Sequence, residues 1–243
     1  NYIALTSGDS QGIACDGKAD PTAGACNALN CSLLVGSCAV NKNVPNLGDQ
    51  IETAGLNWLA LGEGMGTPCN IVDAGKYAVR HVPFLYYDSI RTNASRCSAH
   101  TGDFDKLVTT ASAPALQFIA PNLDHDMHDP VSVIGAPSAT NFANGDAFLG
   151  PFVNSIVTGD AYKNGGLLVV VWDEDDDSGG ITATDDAVPI FVASPYARAA
   201  GYMSSVTADH YSLLATIEDG LGLARLAKAG GTTKPLSDYF PNH

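Results

Sequence analysis

The segment Leu167-Leu168-Val169-Val170-Val171-Trp172 constrains this chain more than any other. It is an unbroken apolar run of strand length, set between Gly165-Gly166 and an acidic stretch. A strand that is apolar throughout, rather than at alternate positions, is expected where helices cover both faces of a largely parallel sheet. Val188–Ala193 reads as a similar strand, and Asn57–Leu61 and Ala115–Ala120 read as two more.

Helical spacing alternates with these runs. Pro45–Gly55 places Leu47, Ile51 and Ala54 on one face, with Gly55 where a C-cap belongs. Asp103–Ala111 reads as a short helix. Asp146–Val157 carries Phe148, Leu149, Phe152, Val153 and Ile156 at helical intervals, with Pro151 either kinking that helix or marking its start. A last helix runs from about His210 to Leu221, with Leu213, Leu214, Ile217 and Leu221 on one face. Residues 1–8 are a short apolar segment ending at Gly8, residues 9–44 a Cys-rich loop, residues 63–100 irregular, and residues 122–144 a polar loop. Strands alternating with helices, without repeat or linker, predict an α/β fold with a mostly parallel sheet in one domain spanning 1–243.

Of the 243 residues 45% are hydrophobic, enough for a sizeable core, and no apolar run approaches the ~20 residues that span a bilayer. The net charge is −14, from 12 basic and 26 acidic residues. That balance excludes the basic footprint of a nucleic-acid binder. It also repels phosphate-bearing ligands at long range, so a phosphate site would need local positive charge from a metal ion, His and Arg. An acidic working pH would relieve the repulsion.

Six cysteines, Cys15, Cys26, Cys31, Cys38, Cys69 and Cys97, allow fifteen pairings if all are bonded. Four of them crowd the 9–44 loop without C-x-x-C spacing or a nearby His, which favours disulfide staples over zinc. With the sequons Asn30-Cys31-Ser32 and Asn93-Ala94-Ser95, this predicts a secreted, disulfide-bonded glycoprotein. The chain opens Asn1-Tyr2-Ile3-Ala4 without Met, and reads as processed, fragmentary or incompletely sequenced.

In open α/β sheets ligands bind beyond the carboxyl ends of the strands, and two of four polar constellations lie there, the other two at a helix start and in a loop. Trp172 is followed by five carboxylates, Asp173 to Asp177. Such crowding favours a cation, with Asp173 and Glu174 as ligands at the strand end and Asp175–Asp177 as a solvated loop. The segment Pro121-Asn122-Leu123-Asp124-His125-Asp126-Met127-His128-Asp129 mixes imidazole and carboxylate donors, and reads either as a metal site or as an Asp-rich turn. Asp209-His210-Tyr211 opens the last helix. There Asp209 is an N-cap, and His210 is either a neutral ligand or acceptor, or a surface group. Arg80-His81 is a basic pair in an acidic protein, suited to clamping phosphate and to general acid work, or else an ordinary loop pair.

Taken in order, these segments resemble the phosphoesterase family of the alkaline-phosphatase superfamily, which includes phospholipase C enzymes and secreted acid phosphatases. The resemblance runs from Asn1–Gly8 through Pro45-Asn46-Leu47, Tyr77–Pro83, Pro121–Asp129 and Trp172-Asp173-Glu174. It ends at His210-Tyr211-Ser212-Leu213-Leu214 and Thr216-Ile217-Glu218-Asp219, and it is strongest to the acid phosphatase branch. It implies a three-layer α/β fold with helices on both faces of the sheet. It also implies a divalent metal ion (Mg, Ca, Mn or Zn) and attack on phosphorus by a Ser or Thr. On this sequence the family's metal ligands match Asp126, His128, Asp173 and Glu174. His81 and His210 match its catalytic positions, with Arg80 and Asn122 as substrate-binding groups.

Two departures accompany the resemblance. The family's nucleophile and its Glu-Asn metal pair match segments ahead of Asn1, so the first ~50 residues of a domain are expected on an upstream stretch or a separate N-terminal fragment. Thr6 and Ser7 align past the nucleophile and are not substitutes for it. Ala187 stands where the family often has His, which weakens a two-metal arrangement. The expected activity is a secreted acid phosphatase acting on a small phosphorylated substrate. A phosphodiesterase or phospholipase C, and a catalytically inactive protein of the same fold, are the alternatives.

Overall fold

The computed structural model describes residues 1–12, 43–128, 139–174 and 187–241. Cys15, Cys26, Cys31, Cys38, the Asn30 sequon, Asp129, Asp175–Asp177 and His243 lie outside the described residues. The chain forms two compact units. One comprises Asn1–Leu107, Pro114–Ala120 and Ala208–Pro235, and the other Val108–Ala113, Pro121–Thr207 and Leu236–His243. One domain can hold two dense clusters, and we propose that residues 1–243 form one domain.

The first unit is built on β1 (Trp58–Gly62), flanked by β2 (Thr101–Gly102) and β3 (Leu116–Ala120). Both pairings are parallel, with Ala60 opposite Thr101 and Phe118 opposite Ala60 on the other side. Helices flank this sheet, giving the α/β, alkaline-phosphatase-like arrangement expected. They are α1 (Tyr2–Ser7), α2 (Leu47–Thr53), α3 (Asp88–Arg91), α4 (Ala94–His100) and, late in the chain, α7 (His210–Gly220).

The central strand is closed to water except at the half-buried Leu59. Trp58, Ala60 and Leu61 are fully buried, with Leu47, Ile51, Phe84, Leu85, Ile90 and Leu214 around them. The Trp58 ring stacks on Phe84 at 4.5 Å and on His100 at 4.6 Å. Its indole N–H donates to Glu52 Oε1 at 2.8 Å, which satisfies the polar edge that burial would otherwise orphan. Cys69 and Cys97 form a disulfide that ties the loop after β1 to α4.

Helix starts follow capping chemistry. Asn46 accepts from Asp49 N at 3.1 Å and Asn93 from Arg96 N at 3.1 Å, each satisfying a donor of the first turn. Asp209 and Ser212 form a reciprocal capping box at the start of α7. Gly55, at φ +73°, closes α2 as expected.

Several boundaries differ from the sequence reading. Residues 1–8 are helical, not merely apolar. Residues 63–100 hold two short helices and two 3-10 turns, Val79–His81 and Pro83–Tyr86. The helix expected over Asp103–Ala111 shrinks to one 3-10 turn, Phe104–Lys106. Asp103 spends its carboxylate on Phe104 N, Gly64 N and Gly66 N, which ties it to the neighbouring loop instead of to a longer helix.

The second unit contains α5 (Ala139–Val157), α6 (Asp160–Lys163), β4 (Leu168–Val171) and β5 (Ile190–Ala193). Helix α5 begins seven residues earlier than Asp146 and keeps Pro151 in its interior. Proline can donate no hydrogen bond to the carbonyl of Ala147, but both residues are exposed, so water can serve that carbonyl. β4 and β5 pair with each other antiparallel, Leu168 opposite Ala193 and Val171 opposite Ile190. All four β4 residues are half-buried and Phe191 is 61% exposed. The covering implied by the apolar run is therefore only partial among the described residues.

Candidate functional site

The residues singled out from the sequence fall in both units, and each group has its own local frame. In the first unit, Arg80 and His81 share the 3-10 turn Val79–His81. Val79 N donates to Asp73 Oδ1 at 2.9 Å and His81 N to Ala78 O at 3.1 Å, so the turn is fixed before either side chain acts. His81 is 7% exposed and its ring lies 5.6 Å from that of Tyr2, while Arg80 is half-buried. The structure thus places a guanidinium and an imidazole on adjacent residues of a rigid turn. His210 is the first residue of α7, half-buried, after the capping Asp209.

Thr6 and Ser7, the hydroxyls nearest the chain start, are buried and engaged. Thr6 Oγ1 donates to Tyr2 O at 2.9 Å and lies 2.6 Å from the Tyr87 hydroxyl, and Ser7 Oγ donates to Ile3 O at 2.9 Å. These bonds fit a structural role in α1. Burial pushes the Tyr87 phenol well above its ordinary range, and so keeps it neutral.

In the second unit, Asn122, Asp126 and His128 share one turn that follows β3 in sequence. Asn122 Oδ1 accepts from Asp124 N at 2.9 Å, and its carbonyl accepts from His125 N and Asp126 N at 2.9 and 3.0 Å. Asp126 Oδ1 accepts from His128 N at 2.9 Å, across Met127 at φ +66°. Helix α5 seats this turn: His125 stacks on Phe148 at 4.5 Å, and Met127 lies where a Cβ on Gly145 would meet its Cγ at 2.3 Å. Only glycine admits that approach. Asp173 and Glu174 follow β4 after Trp172 and are half-buried.

These donors are of the right kind for a divalent cation, carboxylate oxygen and imidazole nitrogen. Among the described residues, however, no group of three or more His, Cys, Asp and Glu side chains is gathered so as to hold a metal ion. Donor type therefore fits a divalent cation, and donor grouping among the described residues does not.

The Phosphoesterase family model matches residues 1–224. The chain belongs to the phosphoesterase family. As a phosphoesterase it is a phosphoric ester hydrolase by class, in keeping with the polar groups at its strand ends. It is 28% identical over 242 residues to the phosphatidylinositol-3-phosphatase of Mycobacterium tuberculosis (strain ATCC 25618 / H37Rv), covering 99% of this chain and 67% of that protein. No helix among the described residues is long and apolar enough to cross a membrane.

Glu218 on α7, named above only as part of a family segment and given no role, is a buried ionisable group of this phosphoesterase with no exposed surface. The spacing could have revealed it. Glu218 lies four residues after Leu214 and three before Leu221, on the apolar stripe of its helix.

Proposed function

We propose that this phosphoesterase is a secreted acid phosphatase that hydrolyses phosphate monoesters with the help of a divalent metal ion. The observation that carries the reading is the pairing of Arg80 with His81 on one fixed turn, in a chain otherwise dominated by acidic residues. Arg80 supplies a planar fork for phosphate oxygens. His81 supplies a proton for the leaving alkoxide. His210 acts as a further polar group toward phosphate, and Asn122 as a substrate-binding amide. Asp126, His128, Asp173 and Glu174 are the proposed metal ligands on chemical type. A bound cation would supply Lewis-acid polarisation of phosphate oxygen. The nucleophile is a Ser or Thr at the family's position.

The mycobacterial relative is named for removing the 3-phosphate of a phosphoinositide, which is a monoester. That name favours monoesters over diesters here, and makes phosphatidylinositol 3-phosphate a substrate to try. The test is phosphate release by the natural full-length protein from nitrophenyl phosphate, its bis-ester and phosphatidylinositol 3-phosphate, at about pH 5 and about pH 8, with and without a chelator. Monoester turnover that is faster in acid and lost with chelator is the expected result. Turnover of the bis-ester alone would make the protein a phosphodiesterase, and no turnover of any substrate would leave it a binding protein of this fold.

A further inference from the structure

Helix α1 meets the segment that carries His81 at two points, one helical turn apart. The Tyr2 ring lies 5.6 Å from the His81 ring, tilted by 32°. Thr6, one turn further along the same face of α1, brings its Oγ1 to 2.6 Å from the Tyr87 hydroxyl. Thr6 has one hydroxyl proton, and it goes to Tyr2 O at 2.9 Å. The Tyr87 O–H therefore donates to Thr6 Oγ1. The other acceptor in reach, Ile3 O, is further from both hydroxyls, at 3.4 Å from Tyr87 and 3.5 Å from Thr6. An ordered chain results, from Tyr87 to Thr6 and from Thr6 to the carbonyl of Tyr2 itself. Thr6 and Tyr87 have no exposed surface, so water does not compete for these bonds.

The rest of α1 keeps this register. Ile3, Ala4 and Leu5 are buried, and at the helix end Gly8 O accepts from Lys228 N at 2.9 Å. On the other side, the turn Val79–His81 fixes the backbone of His81. A fixed backbone does not choose a side-chain rotamer, however, and an imidazole still turns about two bonds. We propose that Tyr2 is a positioning residue for His81: its ring, held in register by the chain through Thr6 to Tyr87, keeps the imidazole aimed at the leaving oxygen of the substrate. The assignment rests on the reading of His81 as proton donor.

That role has a chemical signature. The phosphoryl group passes to the nucleophile, the P–O electron pair stays on the leaving oxygen, and the His81 proton converts that oxygen to an alcohol. Proton transfer needs the two heavy atoms within about 3.2 Å, so a ring that swings away loses most of its benefit. The loss falls on poor leaving groups. An alkoxide needs the proton as the bond breaks, whereas nitrophenolate leaves well without it. A smaller folded fraction would lower both reactions equally.

The test uses the natural full-length protein with Tyr2→Leu, Tyr2→Phe and Tyr87→Phe, assayed on an alkyl phosphate and on nitrophenyl phosphate. Tyr2→Leu should lower kcat about tenfold on the alkyl ester with KM little changed, and much less on the nitrophenyl ester. Tyr2→Phe keeps the ring and should stay within about twofold of wild type on both. Equal losses on the two esters in Tyr2→Leu, or no rescue by phenylalanine, would overturn the assignment. A second readout needs no turnover. Tyr87→Phe leaves both rings present and removes only the hydroxyl that pins α1. The His81 Cε1–H NMR resonance should move in that variant, because the ring current of Tyr2 acting on it changes with register. An unmoved resonance would overturn the part assigned to Thr6 and Tyr87. If wild type hydrolyses neither ester, the reading of His81 as proton donor fails, and this resonance still shows whether the chain sets the Tyr2 ring over the imidazole.

Discussion

The two units differ in how far they close their strands: the first buries its central strand and leaves most of β3 half-buried, whereas the second buries neither β4 nor β5 fully. In the first, Trp58, Ala60 and Leu61 of β1 are fully buried, and the Trp58 indole N–H is hydrogen-bonded to Glu52. In the second, β4 is half-buried along its length and β5 leaves Phe191 61% exposed. The contrast separates two kinds of site residue. His81 is part of a packed interior, so its position is set by the fold. Asp126, His128, Asp173 and Glu174, the proposed metal ligands, sit on partly or fully exposed loops, where packing does less to fix them.

The largest effect should come from setting these two kinds of residue against each other. Asp173→Asn keeps shape and removes charge on a half-buried loop. On the proposed function it should cut metal content and lower turnover about a thousandfold or more, with stability changed by less than about 0.5 kcal/mol. His81→Ala should lower turnover about a hundredfold or more and also cost measurable stability, because it empties a space beside Tyr2. Metal analysis, steady-state kinetics and chemical denaturation on the same preparations check this. An Asp173→Asn protein with full activity would remove the metal assignment.

Next come the cores themselves. Trp58→Ala removes a ring stacked on both sides and leaves Glu52 without its indole donor, and should cost about 3–5 kcal/mol. Phe191→Ala, at the exposed ring of β5, should cost under about 1 kcal/mol. Comparable losses in both variants, read from urea titrations, would break the contrast between the units.

How far the fold was legible follows the same division. β1, β3, α2 and α7 could be read because their apolar residues repeat with a local period and their ends carry caps, Asn46 and Asp209 among them. The turns between Tyr77 and Tyr87 could not, because nothing local repeats there. Tyr77, Val79, Val82, Phe84 and Leu85 are buried by tertiary contacts that only the assembled unit provides. The antiparallel partnership of β4 and β5 was equally hidden, since an apolar run encodes burial and not the direction of its neighbour. At the site, residue types and their places after strands were readable. Their grouping was not, and the buried Glu218 was masked by the apolar residues around it.

A smaller effect tests the polar half of the first core. Arg96 Nη2 lies 2.8 Å from Asp49 Oδ1 and 2.7 Å from Glu52 Oε1, and Nη1 donates to Ser89 O at 2.8 Å. Burial pushes the Glu52 pKa up, but the hydrogen bonds from Arg96 and Trp58 outweigh it and leave the pKa below its ordinary value. A lowered folded pKa contributes stability above the ordinary Glu range that is lost as pH falls through the folded value. Arg96→Met should therefore cost about 1–3 kcal/mol near neutral pH and much less near pH 3, as read from denaturation midpoints. A pH-independent loss would reduce Arg96 to a packing role.

The smallest effect concerns a cap that serves the closed strand indirectly. Asn46 is fully buried, accepts from Asp49 N at 3.1 Å and donates to Asp49 Oδ2 at 2.6 Å, so one amide fixes both the start of α2 and the carboxylate that meets Arg96. Asn46→Ala should cost about 1 kcal/mol for the lost cap, and more if the freed Asp49 side chain no longer pairs with Arg96. Asn46→Asp separates the two roles. It keeps the acceptor but sets a second carboxylate against Asp49, so it should restore the cap and still be destabilised above the carboxylate range, recovering as Asp protonates. If Asn46→Asp matched wild type at neutral pH, the donated bond to Asp49 would carry no weight, and the network around Trp58 would begin at Arg96 rather than at the helix start.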